Sequence, residues 1–179
     1  RPEGRLMAKP FKVKKGELVA RLGGQERQVL AFVCDELTDL LADPAPPPEI
    51  PAWAKEFGLS GVGDSRPTPD DPVVARLLPD AYDDPEQASE FRRLTEAGLR
   101  ATKLAHVAVV REQLDHDPII ITDDARAWLA FLADARLMLG TRLDVTEDDE
   151  LIPTDDPEHN LYLYLGYLQQ SLVEELMGG

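Results

Sequence analysis

Residues Thr122 to Leu143 read TDDARAWLAFLADARLMLGTRL, and this stretch decides how the rest of the chain must pack. Its apolar residues recur at steps of three and four, which places them on one side of a helix. They are Ala125, Trp128, Leu129, Leu132, Ala135 and Leu139, with Phe131 and Met138 in a second strip beside them. A helix that is apolar over so much of its circumference is typical of a central helix packed on several neighbours.

Both ends of this helix carry recognisable signals. Thr122 or Asp123 can accept a hydrogen bond from a free backbone N–H, which predicts the N-terminal cap there. Gly140 is the predicted exit, because glycine adopts a left-handed backbone at little cost. Arg136 and Arg142 flank that exit, where positive charge is favoured by the helix dipole.

A small sheet is predicted near the N-terminus. Residues Phe11 to Lys15 alternate apolar and basic side chains, Lys15-Gly16 indicates a turn, and Glu17 to Leu22 form the return strand. Two strands alone are marginally stable. We therefore place the β-branched run Ile119–Ile121 beside this hairpin as a third, buried strand.

Four further helices follow from spacing and from helix-start signals. One runs over Gln25–Leu41, a short one begins at Pro72 and ends at Pro79, a long one runs from Pro85 to Leu114, and the last begins near Pro157. On the first of these, Leu30, Val33, Cys34, Leu37 and Leu41 share one face, and on the last Leu161, Leu165, Leu168, Leu172 and Leu176 form a leucine stripe. The last helix is expected to complete the core and, through its tyrosines, to offer a homodimer face.

The long helix has two contrasting sides. Phe91, Leu94, Gly98, Ala101, Ala105 and Ala108 make a stripe rich in small residues, which we expect to be buried. The other side carries Arg92, Arg93, Glu96, Arg100 and Lys103. The spacing of four favours a surface lattice of ion pairs. The alternative is a basic strip that contacts a nucleic-acid backbone or a protein partner.

These elements predict a single domain over residues 1–179, an α+β fold that is predominantly α-helical. In it, a helical bundle surrounds the central tryptophan-bearing helix, and the small β-sheet lies at the N-terminal end. Residues 43–72 hold eight prolines and are predicted to form a surface loop. Within it, Ile50–Phe57 is expected to form a helical turn that pins Trp53 onto the body.

The net charge of the chain limits which classes of partner it can attract. The net charge of −15 disfavours whole-surface attraction to nucleic acid or anionic lipid and favours basic partners. Residues 1–27 nevertheless carry +5 and the remainder −20. The hairpin lysines Lys12, Lys14 and Lys15 are a solvated face, a guard on the sheet edge, or a phosphate-contacting patch.

The sequence gives little indication of chemistry. His106, His116 and His159 lack a recognised metal-ligand spacing, and no phosphate loop, dinucleotide fingerprint or nucleophile elbow is present. We therefore expect no catalytic site, no cofactor and no native metal. Cys34 is the only cysteine, which excludes a disulfide within the chain and suits a reducing cytoplasm. No apolar run is long enough to cross a membrane, so no membrane partner is expected.

Several stretches together resemble a known family. They are Ala75–Tyr82, Glu90–Glu96, Leu99–Lys103, Trp128-Leu129 and Arg136–Leu143. They are similar to an actinobacterial family long filed as a domain of unknown function and named for its AosR member, an actinobacterial oxidative stress regulator. The resemblance implies a cytoplasmic transcription regulator linked to oxidative stress and cysteine supply, and it does not imply an enzyme.

That resemblance leaves two modes of action open, and the alternative functions are a structural or adaptor protein that does not bind DNA and, as the minor one, a metal-dependent enzyme. Redox sensing by a pair of thiols within one chain cannot be inferred from the resemblance, because Cys34 has no second cysteine to pair with. Either sensing uses a mixed or intermolecular disulfide, or this member of the family is not a thiol sensor. For DNA, the hairpin lysines Lys12, Lys14 and Lys15 with Arg92, Arg93, Arg100 or Lys103 would form a local contact patch. The other mode is contact with a basic surface of the transcription machinery, and the acidic charge favours it.

Overall fold

The computed structural model describes residues 8–42, 52–56 and 66–178, and in these ranges the chain forms three short strands and six helices. They are β1 (Phe11–Lys14), β2 (Glu17–Ala20), α1 (Gly24–Leu41), α2 (Ala52–Glu56), α3 (Pro72–Leu77), α4 (Pro85–Gln113), β3 (Ile119–Ile120), α5 (Ala125–Arg142) and α6 (Pro157–Met177). The predicted fold class, a mainly helical α+β fold with a small N-terminal sheet, is confirmed.

The three strands form one antiparallel sheet in the order β1-β2-β3. The hairpin turns at Lys15 and Gly16, whose φ angles of 52° and 84° lie in the left-handed region that glycine adopts readily. β3 pairs with β2 through Val19 opposite Ile120 and Ala20 opposite Ile119. The predicted addition of Ile119–Ile121 to the hairpin is therefore confirmed, but the prediction that all three side chains are buried is wrong, because Ile120 is 43% exposed.

Helix α5 lies at the centre, packed against α3, α4 and α6. Trp128 and Leu132 are fully buried, as predicted. The Trp128 ring meets Phe11 of β1 edge-on, with ring centroids 5.9 Å apart, and its Nε1 donates a hydrogen bond to Gln113 Oε1 at 2.7 Å. A buried tryptophan whose N–H is satisfied therefore joins the sheet, α4 and α5.

Both predicted ends of α5 are wrong. Asp124 is the N-cap residue, and the hydroxyl of Thr122 instead accepts a hydrogen bond from the backbone N–H of Leu18 at 2.9 Å. Gly140 lies inside the helix, where a Cβ would come within 3.2 Å of the Tyr162 ring. The left-handed residue is Asp144, with φ 53°. Glycine at position 140 leaves space for a neighbouring ring, and the sequence pattern does not distinguish that reason from a helix end.

Helix α1 agrees with the sequence pattern, and α6 agrees at the centre of its predicted leucine stripe but not at Leu176, which is 44% exposed. The buried residues of α1 are Leu30, Val33, Cys34, Leu37 and Leu41, the five that were predicted to share a face. On α6, Leu165, Leu168 and Leu172 are fully buried against the rest of the core. The C-terminal helix therefore completes the core. The side chains it leaves exposed include Tyr167, Val173, Leu176 and Met177.

The proline-rich segment was predicted over residues 43–72, and most of it lies outside the described residues. Helix α2 confirms the short helix around Trp53. The Trp53 side chain is 61% exposed, so the prediction that it is pinned onto the body is wrong. A five-residue helix presents too little apolar surface to hold such a ring without further contacts.

Candidate functional site

The small-residue stripe of α4, predicted to be buried, is exposed along its whole length from Phe91 to Ala108, and in the N-terminal half of the helix the charged side is buried instead. Arg92, Glu96 and Arg100 are buried, whereas Phe91 is 41% exposed and Leu94 is 68% exposed. Periodicity alone favours burying the apolar side. The charged side can be buried here because its members pair with one another and donate to carbonyl oxygens at the ends of other helices, which leaves only the Nε atoms of Arg92 and Arg100 without an acceptor among its described members.

Arg92 is at the centre of this buried network. Its guanidinium donates to Glu96 Oε1 at 2.9 Å, to Asp80 Oδ1 at 2.7 Å and to the carbonyl oxygen of Leu78 at 2.8 Å. Glu96 also accepts a hydrogen bond from Arg66. The network therefore joins α4 to the chain on both sides of α3.

Arg100 and Lys103 also bind within the protein. Arg100 Nη1 donates to the carbonyl oxygen of Leu41, at the end of α1, at 3.0 Å. Lys103 pairs with the buried Asp134 of α5, with an Nζ–Oδ1 distance of 2.6 Å. These two cations therefore tie α4 to α1 and to α5, and their charge is already compensated or capped inside the fold.

The remaining candidate contact residues lie at the surface. Arg93 pairs with Glu90 at 2.6 Å on the outer side of α4. Lys12, Lys14 and Lys15 are exposed on the hairpin. The nearby cation Lys9 contacts Glu174 and Glu175 of α6 at 4.0 and 3.5 Å. The structure therefore divides the seven predicted contact residues into three that bind within the fold and four at the surface, of which three lie on the hairpin and one, Arg93, on α4.

Cys34 is fully buried in the core, as its place on the apolar face of α1 predicts. Burial raises the pKa of its thiol from about 9 to about 12, since the charged thiolate would lose its hydration there. The thiol is therefore protonated and shielded at neutral pH, which does not favour reaction with an oxidant in the folded state.

An apolar groove between α1 and α6 was not predicted. It has a volume of about 580 Å³, and its lining includes Val29, Phe32, Pro157, Leu161 and Tyr164. Phe32 is 60% exposed, an unusual position for a phenylalanine on a helix whose other face is buried. The signal in the sequence was Val29 and Phe32, three residues apart and off the core stripe of α1.

Glu26 fixes one wall of this groove. Its Oε2 accepts a hydrogen bond from the backbone N–H of Gly23 at 2.6 Å, and its Oε1 accepts one from the Tyr164 hydroxyl at 2.7 Å. Burial and this carboxylate neighbour hold the pKa of Tyr164 well above its ordinary value. The groove is thus apolar at its floor and negatively charged at one side, while Asp156 and Glu158 adjoin Pro157 in the chain.

Two features are absent from the described ranges 8–42, 52–56 and 66–178. No group of three or more His, Cys, Asp or Glu side chains there is arranged to hold a metal ion. None of the helices in those ranges is both long enough and apolar enough to span a bilayer.

Comparison with known proteins identifies the family. Residues 8–176 match the model of the domain of unknown function DUF2017. This chain belongs to the DUF2017 family. It is also 33% identical, over 131 residues, to proteins of Mycobacterium bovis and Mycobacterium tuberculosis named oxidative stress regulator AosR. The expected kinship with the AosR family is confirmed.

The match to these curated proteins is partial. It covers 62% of this DUF2017 chain and 60% of each relative, so it spans less than two thirds of their length. No solved structure matches the chain significantly.

Proposed function

We propose that this DUF2017 protein is a cytoplasmic, non-enzymatic regulator of the oxidative-stress response, and that it acts by binding a basic surface of the transcription machinery. The regulatory role is inferred from the relatives named oxidative stress regulators. The mode of action rests on one observation: the apolar α1–α6 groove with a carboxylate at its wall, on a chain of net charge −15.

The chemistry of the groove defines the partner we expect. Phe32 and Leu161 offer apolar surface to an inserted side chain, which is how a small number of anchor residues supply most of the affinity at protein interfaces. The acidic surroundings would attract lysine and arginine at the rim and speed the encounter. An amphipathic helix with apolar anchors and basic flanks fits both requirements.

The internal use of the α4 cations supports the same choice. Arg92, Arg100 and Lys103 are committed to carboxylates or carbonyl oxygens, so an approaching phosphate would have to compete with buried partners. Losing such a partner leaves a buried charge uncompensated, which is costly. A DNA patch built from α4 is therefore disfavoured.

The test is a binding titration of purified RNA polymerase holoenzyme on the immobilised protein, with two matched variants. Phe32→Asp places a charge in the groove, and we expect it to weaken binding at least about tenfold, as removal of an interface anchor does. Leu94→Asp is the control, because Leu94 is more exposed than Phe32 and does not line the groove. Equal affinity of the two variants would reject the groove as the contact surface.

A second candidate is DNA contact through the hairpin, favoured by the exposure of Lys12, Lys14 and Lys15 on adjacent positions. Here the affinity for promoter DNA should fall steeply with salt, because each neutralised phosphate releases counterions. Lys14→Gln should then lower the salt slope, whereas Arg93→Gln should not. If the protein retards promoter DNA in a gel-shift assay and Lys14→Gln retards it equally, this mode of DNA contact is excluded.

Self-association through α6 stays a proposal as well. The leucines at its centre are used within the protomer, so a homodimer would have to use Tyr167, Val173, Leu176 and Met177. Sedimentation equilibrium of the wild type and of Tyr167→Asp tests it: a wild-type dimer that the substitution dissociates supports this face.

A further inference from the structure

A second cavity contains cations without carboxylates. It has a volume of about 300 Å³ and lies where α3, α5 and α6 meet, lined by Arg76, Arg136, Gly140, Thr141, Tyr162 and Gln169 among others. None of the described residues that line it is acidic. Two guanidinium groups sharing a cavity without a counter-charge are unexpected on a chain in which 34 acidic residues face 19 basic ones.

Neutral groups alone hold the Arg136 guanidinium in position. Nη1 donates to Gln169 Oε1 at 2.8 Å and Nη2 donates to the Tyr162 hydroxyl at 3.3 Å. The guanidinium carbon lies 5.1 Å from the centre of the Tyr162 ring, a cation–π arrangement. These contacts orient the positive charge but do not cancel it.

The side chains that fix Arg136 retain donors of their own. The Tyr162 oxygen accepts from Arg136, so its O–H proton points elsewhere, and Gln169 accepts through its carbonyl and keeps its N–H groups. Arg76, exposed on the last turn of α3, forms no ion pair with any carboxylate in the described ranges. Donors from three helices therefore share one cavity.

Gly140 leaves room for the Tyr162 ring beside Arg136. A Cβ at that position would lie 3.2 Å from Tyr162 Cε2, so the glycine admits the ring that supports Arg136. A guanidinium oriented before the ligand arrives binds an anion with less loss of side-chain freedom.

We propose that this cavity binds a compact oxyanion, bridged by Arg76 and Arg136. The guanidinium fork matches the spacing of two oxygens in either a phosphate or a carboxylate, and the shared chemistry is that pair of anionic oxygens. The site lies apart from the α1–α6 groove, so its failure would leave the proposed partner contact intact, and failure of the groove would leave this site intact.

The experiment is an NMR titration of the full chain, following the backbone amides of Gly140 and Thr141, at constant ionic strength. Sodium phosphate and sodium acetate are added in separate series, with sodium chloride as the reference. We expect saturable shifts that chloride does not produce. A response to phosphate alone identifies a phosphate group as the ligand, and a response to acetate alone identifies a carboxylate.

Three variants assign the effect to the cavity. Arg76→Gln changes an exposed side chain and should fold normally, and we expect the apparent Kd to rise at least about tenfold, the usual effect of losing a charge-assisted pair. Arg136→Gln should do the same, while Arg126→Gln, an exposed arginine at the start of α5, should leave the Kd unchanged. Shifts that never saturate, or equal Kd values for Arg76→Gln and Arg126→Gln, would overturn the proposal.

Discussion

Helices α4 and α5 lie side by side, yet they are buried by different physical means. α5 is covered on almost every side by apolar contacts, with Trp128, Phe131 and Leu132 fully buried. The N-terminal half of α4 instead buries Arg92, Glu96 and Arg100 and leaves Phe91 and Leu94 exposed. The comparison teaches that a charged stripe can be the inner face of a helix when its members and nearby carbonyl oxygens satisfy one another.

The largest effect is expected for the apolar helix. Trp128→Ala removes a fully buried ring and its hydrogen bond to Gln113, so it should lower the free energy of unfolding by about 3–5 kcal/mol. Urea denaturation followed by circular dichroism measures the loss. Trp53→Ala is the matched control and should change stability by less than about 0.5 kcal/mol, because Trp53 is exposed. Similar losses for both would contradict the central place of Trp128.

The charged helix supplies the second test. Arg92→Ala removes the buried cation that joins Glu96 to Asp80, although Glu96 keeps its pairs with Arg66 and Arg100, and we expect a loss of about 3 kcal/mol. Arg93→Ala, one residue along, removes a pair whose Glu90 carboxylate is largely exposed, so it should cost less than about 1 kcal/mol. If urea denaturation gives the same loss of unfolding free energy for both substitutions, the buried α4 network does not stabilise the fold, and the contrast with α5 fails.

Replacing a glycine by alanine should change the free energy of unfolding in opposite directions in the two helices. Gly140→Ala in α5 brings a Cβ against the Tyr162 ring and should destabilise the protein by about 1 kcal/mol. Gly98→Ala in α4 meets nothing within 4 Å, so it should stabilise by about 0.5–1 kcal/mol through helix propensity. Thermal unfolding of the two single variants decides the point. A gain from Gly140→Ala would show that the ring at Tyr162 moves aside.

The smallest effect concerns a buried group that stays neutral, in contrast to Arg92. The pKa of Cys34 is raised to about 12 in the folded state, against about 9 for an ordinary thiol. The unfolded chain therefore loses this proton first as the pH rises, and the associated stability, complete below pH 9, decreases between pH 9 and 12. The wild type should lose up to about 1 kcal/mol more than Cys34→Ala between pH 8 and pH 10. Parallel pH profiles would show that the thiol is accessible to solvent.

The same contrast between α4 and α5 explains which buried faces could be predicted from the sequence. The buried faces of α1 and α5 and the centre of α6 could be predicted, because apolar side chains at helical spacing have their lowest free energy when they are buried. The buried charged face of α4 could not be predicted from the sequence. The burial of Arg92 and Arg100 depends on partners that are distant in the sequence, namely Asp80, Leu78 and Leu41. The α1–α6 groove and the cavity between Arg76 and Arg136 were missed for the same reason: each is formed by helices that meet only in the folded chain.

The α4 network determines where the chain tolerates additional residues. Arg100 binds the carbonyl oxygen of Leu41, just before the proline-rich segment, and Glu96 binds Arg66, near its end, so both points of the chain are anchored to α4. Where the two ends of a segment are clamped, extra residues between them add only a slowly rising closure entropy. Insertions there should leave the melting temperature nearly unchanged, which makes this stretch the natural place to splice a fluorescent tag or a new recognition module.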